Sequence, residues 1–217
     1  MTIASDLEGT LTSGETWKGM AAWMKANGRG AQYRAFFNRN LPGAVLARLG
    51  FGDRRAFQDR FMVGAAGLLE GLSALELAAV GRWVVEHELW PGVHRSVMDE
   101  LVGAAQTGER VILCSATFQP ILEAFAERMG HGVVALGTPL EMAAGRFTGR
   151  VVGRIRSGEA KAEQLKAYLK GARLDVAYGD TLPDRFMLEL AQSPVAVYPD
   201  RGLKELGRGK GWRVIGG

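Results

Sequence analysis

Two carboxylates near the start of the chain are spaced to share one site. Asp6 and Glu8 are separated by one residue in the segment Asp-Leu-Glu-Gly-Thr, which ends at Thr10. If Asp6 is extended, the turn after it lets both carboxylates face one cavity, and Gly9 lets backbone N–H groups approach an anion. Two acids this close raise each other's pKa unless a cation lies between them. Asp180, in Gly-Asp-Thr-Leu-Pro-Asp, adds an oxygen ligand, which favours a hard cation such as Mg²⁺.

Two further polar residues are suited to bind a phosphoryl group. Ser115 ends the apolar segment Arg-Val-Ile-Leu-Cys-Ser, and Lys161 lies near the start of a predicted helix. A hydroxyl and an ammonium group both donate hydrogen bonds to phosphate oxygens. Taken alone, Ser115 is more typical of a strand-end cap and Lys161 of a solvated helix position. The phosphate-binding interpretation therefore depends on both residues occurring together with the acidic residues.

The composition restricts the class of protein. The chain has 217 residues, of which 47% are hydrophobic and 23% charged, and this balance excludes disorder and collagen-like repeats. The length favours one domain with a sizeable insertion. The net charge of +4 mildly favours anionic ligands. No run of five or more basic residues occurs, so a small phosphorylated substrate is expected and nucleic acid is not.

The sequence also predicts a cytoplasmic protein. The single cysteine, Cys114, cannot form an internal disulfide, and Asp6 interrupts the apolar stretch that a signal peptide needs. No apolar run approaches the roughly 20 residues that span a bilayer, so membrane insertion is not expected. The sequence gives no indication of the oligomeric state.

The elements that must position these residues fall into two regions. A short strand at 2–6 is followed by a polar loop and then by a helical pattern from Glu15 to Trp90, in which Ser73 and Glu76 form a capping-box signature. Breaks in this helical pattern are expected at Gly28, Gly30, Pro42 and Gly50.

After Pro91 helices and strands alternate, which is typical of a parallel sheet. The predicted elements are a helix at 93–105, a strand at 110–115, a helix between Pro120 and Gly130, a strand at 133–136, a hairpin around Ala144 and Gly145, a helix at 158–170, a strand at 174–180, a helix opened by Pro183, a strand at 194–198, a short helix after Asp200 and a strand at 212–215. The fold class is therefore a three-layer α/β domain with about 75 helical residues inserted after the first strand. Ligands in such sheets bind beyond the carboxyl ends of the strands, where Asp6, Ser115 and Asp180 are expected.

The order of these motifs resembles the haloacid dehalogenase superfamily of aspartate-nucleophile phosphatases, in the branch near phosphoserine phosphatase. The resemblance covers nearly the whole chain. It implies a Rossmann-like catalytic core of residues 1–13 and 91–217, with a helical cap domain of residues 14–90. It also implies a Mg²⁺-dependent phosphomonoester hydrolase that acts on a small phosphorylated metabolite.

The resemblance assigns catalytic roles to four residues. Asp6 matches the nucleophile that forms an aspartyl-phosphate. Glu8 matches the general acid/base, and its backbone carbonyl is expected on the metal. Thr10 is expected to orient that acid, and Lys161 to neutralise charge on Asp6 and the phosphoryl group.

The resemblance assigns four further residues to the phosphate and the metal. Ser115 and the adjacent Ala116 are expected to bind the phosphate group. Asp180 is expected to hold Mg²⁺ together with Asp6, and Asp184, the second acid of the Gly-Asp-x-x-x-Asp motif, to support the metal or its waters. Thr10 is also expected among the phosphate-binding residues.

The chain departs from the family pattern at Glu8, because most family phosphatases carry aspartate there. The additional methylene moves the proton donor by about 1.5 Å. Two alternatives therefore remain: a phosphotransferase to an alcohol acceptor such as homoserine, and a non-catalytic phosphate-binding relative. A receiver-type signalling domain is disfavoured because it lacks the inserted helices and the Gly-Asp-x-x-x-Asp motif.

The cap carries the prediction about substrate choice. Glu15 lies nine residues after Asp6, where phosphoserine phosphatases place a glutamate for the substrate amine. Their cap arginine has no clear counterpart, and Arg60 lies about one helical turn too early. Phosphoserine is therefore not favoured, although Glu15 and Arg60 are kept as candidate substrate contacts. The segment 15–90 contains ten Lys and Arg against seven Asp and Glu, an excess that favours an anionic substrate.

Overall fold

The structure is a computed structural model that describes residues 1–51 and 53–216, with the backbone alone at Arg48 and Arg54. The strands are β1 (Thr2–Ser5), β2 (Arg110–Phe118), β3 (Val134–Thr138), β4 (Leu140–Ala143), β5 (Arg146–Val151), β6 (Leu174–Gly179), β7 (Ala191–Val197) and β8 (Arg213–Ile215). The helices are α1 (Thr16–Ala26), α2 (Gly30–Arg48), α3 (Arg54–Gly67), α4 (Ala74–Val84), α5 (Arg95–Gln106), α6 (Gln119–Met129), α7 (Glu159–Leu169), α8 (Arg185–Leu188) and α9 (Arg201–Lys210). A π-helical segment at Val85–Leu89 extends α4, and a 3-10 turn at Leu182–Asp184 precedes α8. Among the helices so described, none is long and apolar enough to cross a bilayer.

One parallel sheet organises the site. Its strand order is β3-β2-β1-β6-β7-β8, and β4 and β5 form a separate antiparallel hairpin. The register of the central strand β1 pairs Ser5 with Leu113 of β2 and with Tyr178 of β6. Because the strands run in the same direction, their carboxyl ends share one edge. The residues just beyond β1 and β6, Asp6 and Asp180, therefore meet there.

The sheet has helices on both faces, which confirms the predicted three-layer α/β architecture. Ile3 of β1 belongs to a buried apolar cluster with residues of α5 and α6, whereas the next residue, Ala4, packs with α7, α8 and α9. This alternation follows from the two-residue period of a strand. Cys114 is buried in the same cluster as Ala4.

The inserted segment is helical, as predicted, but the expected break at Pro42 is wrong. Helix α2 runs through this residue from Gly30 to Arg48. An internal proline removes one N–H and leaves the carbonyl four residues earlier without a partner. Both Pro42 and Asn38 are exposed, so that carbonyl is in a position to bond to water. The capping box of Ser73 and Glu76 is confirmed at the start of α4.

Two details of the α/β region refine the predicted boundaries. Strand β2 extends three residues beyond its expected end at Ser115, and its register against β3 shifts between Cys114 and Phe118. The predicted hairpin is confirmed: Ala144 and Gly145 join β4 to β5 with φ values of 49° and 75°. Two consecutive positive φ values are typical of tight hairpin turns.

The inserted helical segment is hydrogen-bonded to β5 through the residues between α3 and α4. The Gly71 N–H donates to the Phe147 carbonyl at 2.9 Å, and the Phe147 N–H donates to the Leu72 carbonyl at 2.8 Å. Helix α4 approaches α6 so closely that a Cβ on Gly81 would lie 2.4 Å from the Pro120 carbonyl oxygen. The division into a core and a 14–90 cap domain stays a prediction, because residues of the two share one apolar cluster.

Candidate active site

Asp6 is held at the end of the central strand. Its N–H donates to the Tyr178 carbonyl at 3.0 Å, which continues the β1–β6 ladder by one residue. The Asp6 side chain is only 10% exposed, and its Oδ1 lies 2.8 Å from Nζ of Lys161 on α7. Burial raises the pKa of Asp6 to about 6, with Lys161 opposing this effect and the charge of Asp184 adding to it. The carboxylate is therefore anionic at neutral pH but poorly solvated.

Lys161 is a buried ammonium shared by two carboxylates. Its Nζ lies 2.8 Å from Asp6 and 2.6 Å from Asp184, and its side chain is 5% exposed. Burial alone would lower the pKa of Lys161, but attraction by Asp184 and Asp6 outweighs it and raises the pKa above its ordinary value. Lys161 therefore carries its charge at neutral pH.

Asp184 accepts hydrogen bonds from Lys161 and from Thr181 in the loop after β6. Its Oδ1 accepts a hydrogen bond from Lys161 at 2.6 Å, and its Oδ2 accepts from the Thr181 N–H at 3.1 Å and the Thr181 hydroxyl at 2.9 Å. Burial opposes ionisation, but Lys161 and the Thr181 donors outweigh it and hold the pKa of Asp184 below its ordinary value. Both oxygens already have protein donors, so Asp184 orients the ammonium group whether or not it also contacts a metal.

The carboxylates are arranged for a hard cation. Oxygens of Asp6, Asp180 and Asp184 all lie within 4.8 Å of one another. Burial, together with the charges of Asp6 and Asp184, raises the pKa of Asp180 to about 9. When all three carboxylates are ionised, they carry more negative charge than Lys161 alone neutralises. Oxygen ligands and excess negative charge are what Mg²⁺ requires, so these residues fit the predicted cofactor.

Mg²⁺ should stabilise the fold more strongly at alkaline than at acidic pH. Asp6 and Asp180 have folded-state pKa values of about 6 and about 9, both raised from 3.8, so folding favours their protonated forms. The stability from this source is complete below about pH 3.8 and is lost as the pH rises through those values. Cation binding replaces the lost proton, so its effect grows over the same interval.

Differential scanning fluorimetry with and without Mg²⁺ tests this expectation. A concentration of about 100 times the dissociation constant adds about 2.7 kcal/mol, or on the order of 5–10 °C for a chain of this length. We expect that increase at pH 8 and little at pH 5, and we expect Asp180→Asn to remove it. An equal increase at both pH values would contradict the assignment.

Gly9 leaves the space that Asp180 occupies. Its φ is +84°, and a Cβ at this position would lie 2.0 Å from Oδ2 of Asp180. The next residue, Thr10, is fully buried and donates its hydroxyl to Oδ1 of Asp180 at 3.2 Å. The predicted contact of Thr10 with Glu8 is therefore not the one formed. The turn after β1 instead brings the Thr10 hydroxyl to Asp180.

Gly9→Ala should disrupt the site more than the fold. A positive φ costs a non-glycine residue about 1–2 kcal/mol, and the new methyl group must displace the Asp180 carboxylate. We expect a loss of about that size in chemical denaturation and the loss of Mg²⁺-dependent stabilisation. Gly103→Ala on α5 is the matched control, because a Cβ there meets nothing within 4 Å. A normal response of the Gly9 variant to Mg²⁺ would refute this account.

Glu8 is bound by the start of the cap. Its Oε1 accepts a hydrogen bond at 3.0 Å from the N–H of Thr16, the first residue of α1. The Thr16 hydroxyl lies 2.7 Å from the Thr117 hydroxyl, beyond Ser115 on β2. Burial raises the pKa of Glu8 to about 7, although the Thr16 hydrogen bonds oppose it. This value suits proton exchange at neutral pH.

The Glu8 carboxylate therefore lies in a different environment from the three aspartates. Within the described residues the Glu8 carboxylate is not part of the cluster formed by Asp6, Asp180 and Asp184. The metal contact predicted for Glu8 is through its backbone carbonyl, and that contact stays a prediction. Sequence reasoning missed Thr16 and Thr117. Thr117 shares a face of β2 with Ser115, since alternate strand residues point the same way, and that signal was available.

Ser115 lies at the same sheet edge as Asp6. Its side chain is buried, and its Oγ accepts a hydrogen bond from the Thr117 N–H at 3.2 Å. The Ala116 carbonyl accepts from the Thr138 hydroxyl at 2.8 Å, which fixes the backbone where β2 and β3 lose register. The proposed phosphate-binding roles of Ser115 and Ala116 stay predictions.

The two cap residues predicted to contact substrate are Glu15 and Arg60, and neither shows a contact with the three aspartates among the described residues. Glu15 lies 3.0 Å from the ammonium of Lys18 and also accepts from the Trp17 indole. Arg60 is exposed on α3. Sequence reasoning missed Arg55, whose guanidinium donates to the Ser157 carbonyl at 2.7 Å. Ser157 lies four residues before Lys161. The substrate roles of Glu15 and Arg60 stay predictions.

Comparisons with known proteins agree with this arrangement. A model of the haloacid dehalogenase-like hydrolase family matches residues 3–189. The phosphoserine phosphatase SerB1 of Mycobacterium tuberculosis is 34% identical over 204 residues, which cover 86% of this chain and 63% of that protein. The chain thus spans less than two thirds of this relative's length.

Solved structures extend the likeness to the whole chain. A Bordetella pertussis protein of unknown function has a TM-score of 0.79 at 25% identity, and the match covers 99% of this chain and 97% of that one. A substrate-bound phosphoserine phosphatase complex has a TM-score of 0.63 at 21% identity, with 99% and 91% covered. The second likeness shows that the fold is the same.

Proposed function

The chain belongs to the haloacid dehalogenase-like hydrolases, and on that premise we propose that it is a Mg²⁺-dependent phosphomonoester hydrolase. Its substrate is a small phosphorylated metabolite, and the reaction passes through an aspartyl-phosphate on Asp6. The observation that carries the proposal is the buried array in which Lys161 lies 2.8 Å from Asp6 and 2.6 Å from Asp184. This array leaves Asp6 unprotonated at neutral pH and aimed at the sheet edge where Asp180 lies.

Asp6 and Asp180 would hold the cation, and Asp184 would support it while orienting Lys161. When bound, Mg²⁺ supplies positive charge that offsets repulsion between a phosphate group and the carboxylates. Lys161, whose Nζ lies 2.8 Å from Asp6, contributes positive charge in the same direction. A fixed ammonium in a buried site stabilises negative charge more than a solvated one does.

In the first step Asp6 and Glu8 act together. A carboxylate oxygen of Asp6 attacks phosphorus, and the bond from phosphorus to the ester oxygen breaks. The leaving oxygen takes a proton from the Glu8 carboxyl group, whose pKa of about 7 leaves a substantial protonated fraction at neutral pH. The products are the alcohol and Asp6 bearing the phosphoryl group.

In the second step Glu8 acts as a base. The Glu8 carboxylate takes a proton from a water molecule, whose oxygen attacks phosphorus. The bond between phosphorus and the Asp6 oxygen breaks, which releases inorganic phosphate and restores the Asp6 carboxylate. The Thr16 N–H holds the Glu8 carboxylate at 3.0 Å throughout, so its proton is delivered from a fixed position.

Phosphoserine is the first substrate to test, because the relative SerB1 carries that name. Two features argue for a broader set of phosphorylated metabolites. Glu15, the expected partner of a substrate amine, already pairs with Lys18, and Arg60 is exposed. These contacts therefore give no preference for a substrate with an amino acid head group.

A screen of phosphorylated metabolites and an aryl phosphate, each with and without Mg²⁺, tests the proposal. We expect phosphate release that requires Mg²⁺. Absence of turnover on every substrate, with Mg²⁺-dependent stabilisation intact, would instead support a phosphate-binding protein. Addition of homoserine tests the transferase alternative, because a transferase forms product faster with an acceptor and a hydrolase does not.

A further inference from the structure

Helix α2 has two apolar faces, and one of them is uncovered. The inner face carries Tyr33, Phe36 and Phe37, whose rings pack with one another and with rings of α1 and α3. The opposite face carries large apolar side chains that are exposed. These are Leu41 (44% exposed), Val45 (49%), Leu46 (51%) and Leu49 (66%), followed just beyond the helix by Phe51 (68%).

We term these five residues the outer α2 face, and the first four form one stripe along the helix. Residues 41, 45 and 49 are spaced by four and lie along one side of a helix, and residue 46 lies beside them. A folded protein normally exposes large apolar side chains singly. Five of them within eleven consecutive residues, with Phe51 just beyond the helix, mark a surface that contacts something else.

The segment that carries this face has charges that are almost all positive. The segment 29–55 contains six arginines and one aspartate. Arg34 lies two helical turns before Leu41 on the same side, and Arg39 borders the stripe. Both are exposed, and neither forms an ion pair with any residue that the structure describes.

We propose that the outer α2 face is a docking surface for an anionic lipid bilayer. An apolar stripe bordered by arginines matches the boundary between acyl chains and anionic head groups, with the arginine stems extended along the apolar surface. The charge argues against a second copy, because a symmetric contact would bring two cationic borders together. This surface contact inserts no segment across the bilayer, and it does not depend on the catalytic proposal.

Vesicle flotation with the full chain tests the proposal. We expect the protein to float with vesicles that contain phosphatidylglycerol and not with pure phosphatidylcholine vesicles. Raising the salt concentration should weaken binding, since it screens exposed charges. Leu46→Glu should lower the partition coefficient about tenfold or more, because it removes an apolar contact and adds a charge of the wrong sign.

Leu75→Glu is the matched control. Leu75 is the same residue type, is 83% exposed and lies on α4 away from the outer α2 face. The control variant should bind vesicles like the original protein, and both variants should keep the original turnover and unfolding temperature. Failure of the original protein to bind either vesicle would overturn the proposal, as would equal losses in both variants. A dimer in sedimentation equilibrium that Leu46→Glu dissociates would assign the face to a second copy instead.

Discussion

Asp6→Asn will abolish turnover of an aryl phosphate while leaving the fold intact. The substitution keeps the shape of the side chain but removes the carboxylate oxygen that attacks phosphorus. Removal of a nucleophile costs on the order of 10⁴-fold or more in kcat. Steady-state phosphate release with Mg²⁺ measures the effect. Asp99→Asn on the exposed surface of α5 makes the same chemical change outside the site and should leave kcat unchanged.

The stability of the Asp6→Asn variant distinguishes lost chemistry from lost structure. Burial raises the pKa of Asp6 to about 6, so its charge is costly to keep in the folded protein. A neutral amide removes that cost, and Lys161 keeps its 2.6 Å contact with Asp184. We therefore expect an unfolding temperature without Mg²⁺ that is equal to or above that of the original protein. A variant that keeps most of its activity would exclude Asp6 as the nucleophile.

Lys161→Met will reduce both activity and stability. Methionine fills a similar volume but leaves Asp6 and Asp184 buried without their shared counter-ion. Breaking a buried pair by removing one partner costs about 3–5 kcal/mol. For a chain of this length the loss corresponds to about 6–20 °C in unfolding temperature. Lys166→Met, on an exposed position of the same helix α7, is the matched control and should be nearly silent.

The pH dependence of this variant has a defined sign. In the original protein the pKa of Asp184 is lowered, so its stabilising contribution is present above about pH 3.8 and is lost as the pH falls through the folded-state pKa. Without Lys161 the folded-state pKa values of Asp6 and Asp184 rise. Their protonated forms then favour folding, and the variant gains stability as the pH falls through those raised values.

Chemical denaturation of both proteins between pH 8 and pH 5 measures this difference. We expect the gap in unfolding free energy to narrow as the solution becomes more acidic. A gap that stays constant across this range would mean that the loss comes from packing and not from the unpaired carboxylates.

The sequence predicted the positions at the sheet edge because parallel strands impose them. Asp6 and Asp180 each follow an apolar segment, and the carboxyl ends of parallel strands must lie together. Lys161 was predicted from the order of the motifs. Its two carboxylate partners, Asp6 and Asp184, lie at that same edge of the sheet. The helix-to-strand alternation after Pro91 was predictable for the same reason, since residue periodicity determines which face is buried.

The contacts made by the turn after β1 could not be predicted from residue types. Thr10 has several acceptors within reach, and its choice of Asp180 depends on the positive φ of Gly9. The contact between Glu8 and Thr16 depends on where α1 begins relative to that turn, and helix boundaries are the least determined part of a sequence pattern. Pro42 is a similar case, because its effect on α2 depends on exposure to water.

The pairing of β1 with β6 has a consequence for how the protein is made. Ile3 pairs with Val176, so the central strand lacks one of its two neighbours until more than 170 further residues have been synthesised. Asp6 consequently emerges from the ribosome long before Lys161, Asp180 and Asp184, and it has no counter-ion in the nascent chain. Contacts of such high sequence separation form late and slowly. A chain released before β6 is complete would retain the nucleophile and the cap and still have no active site.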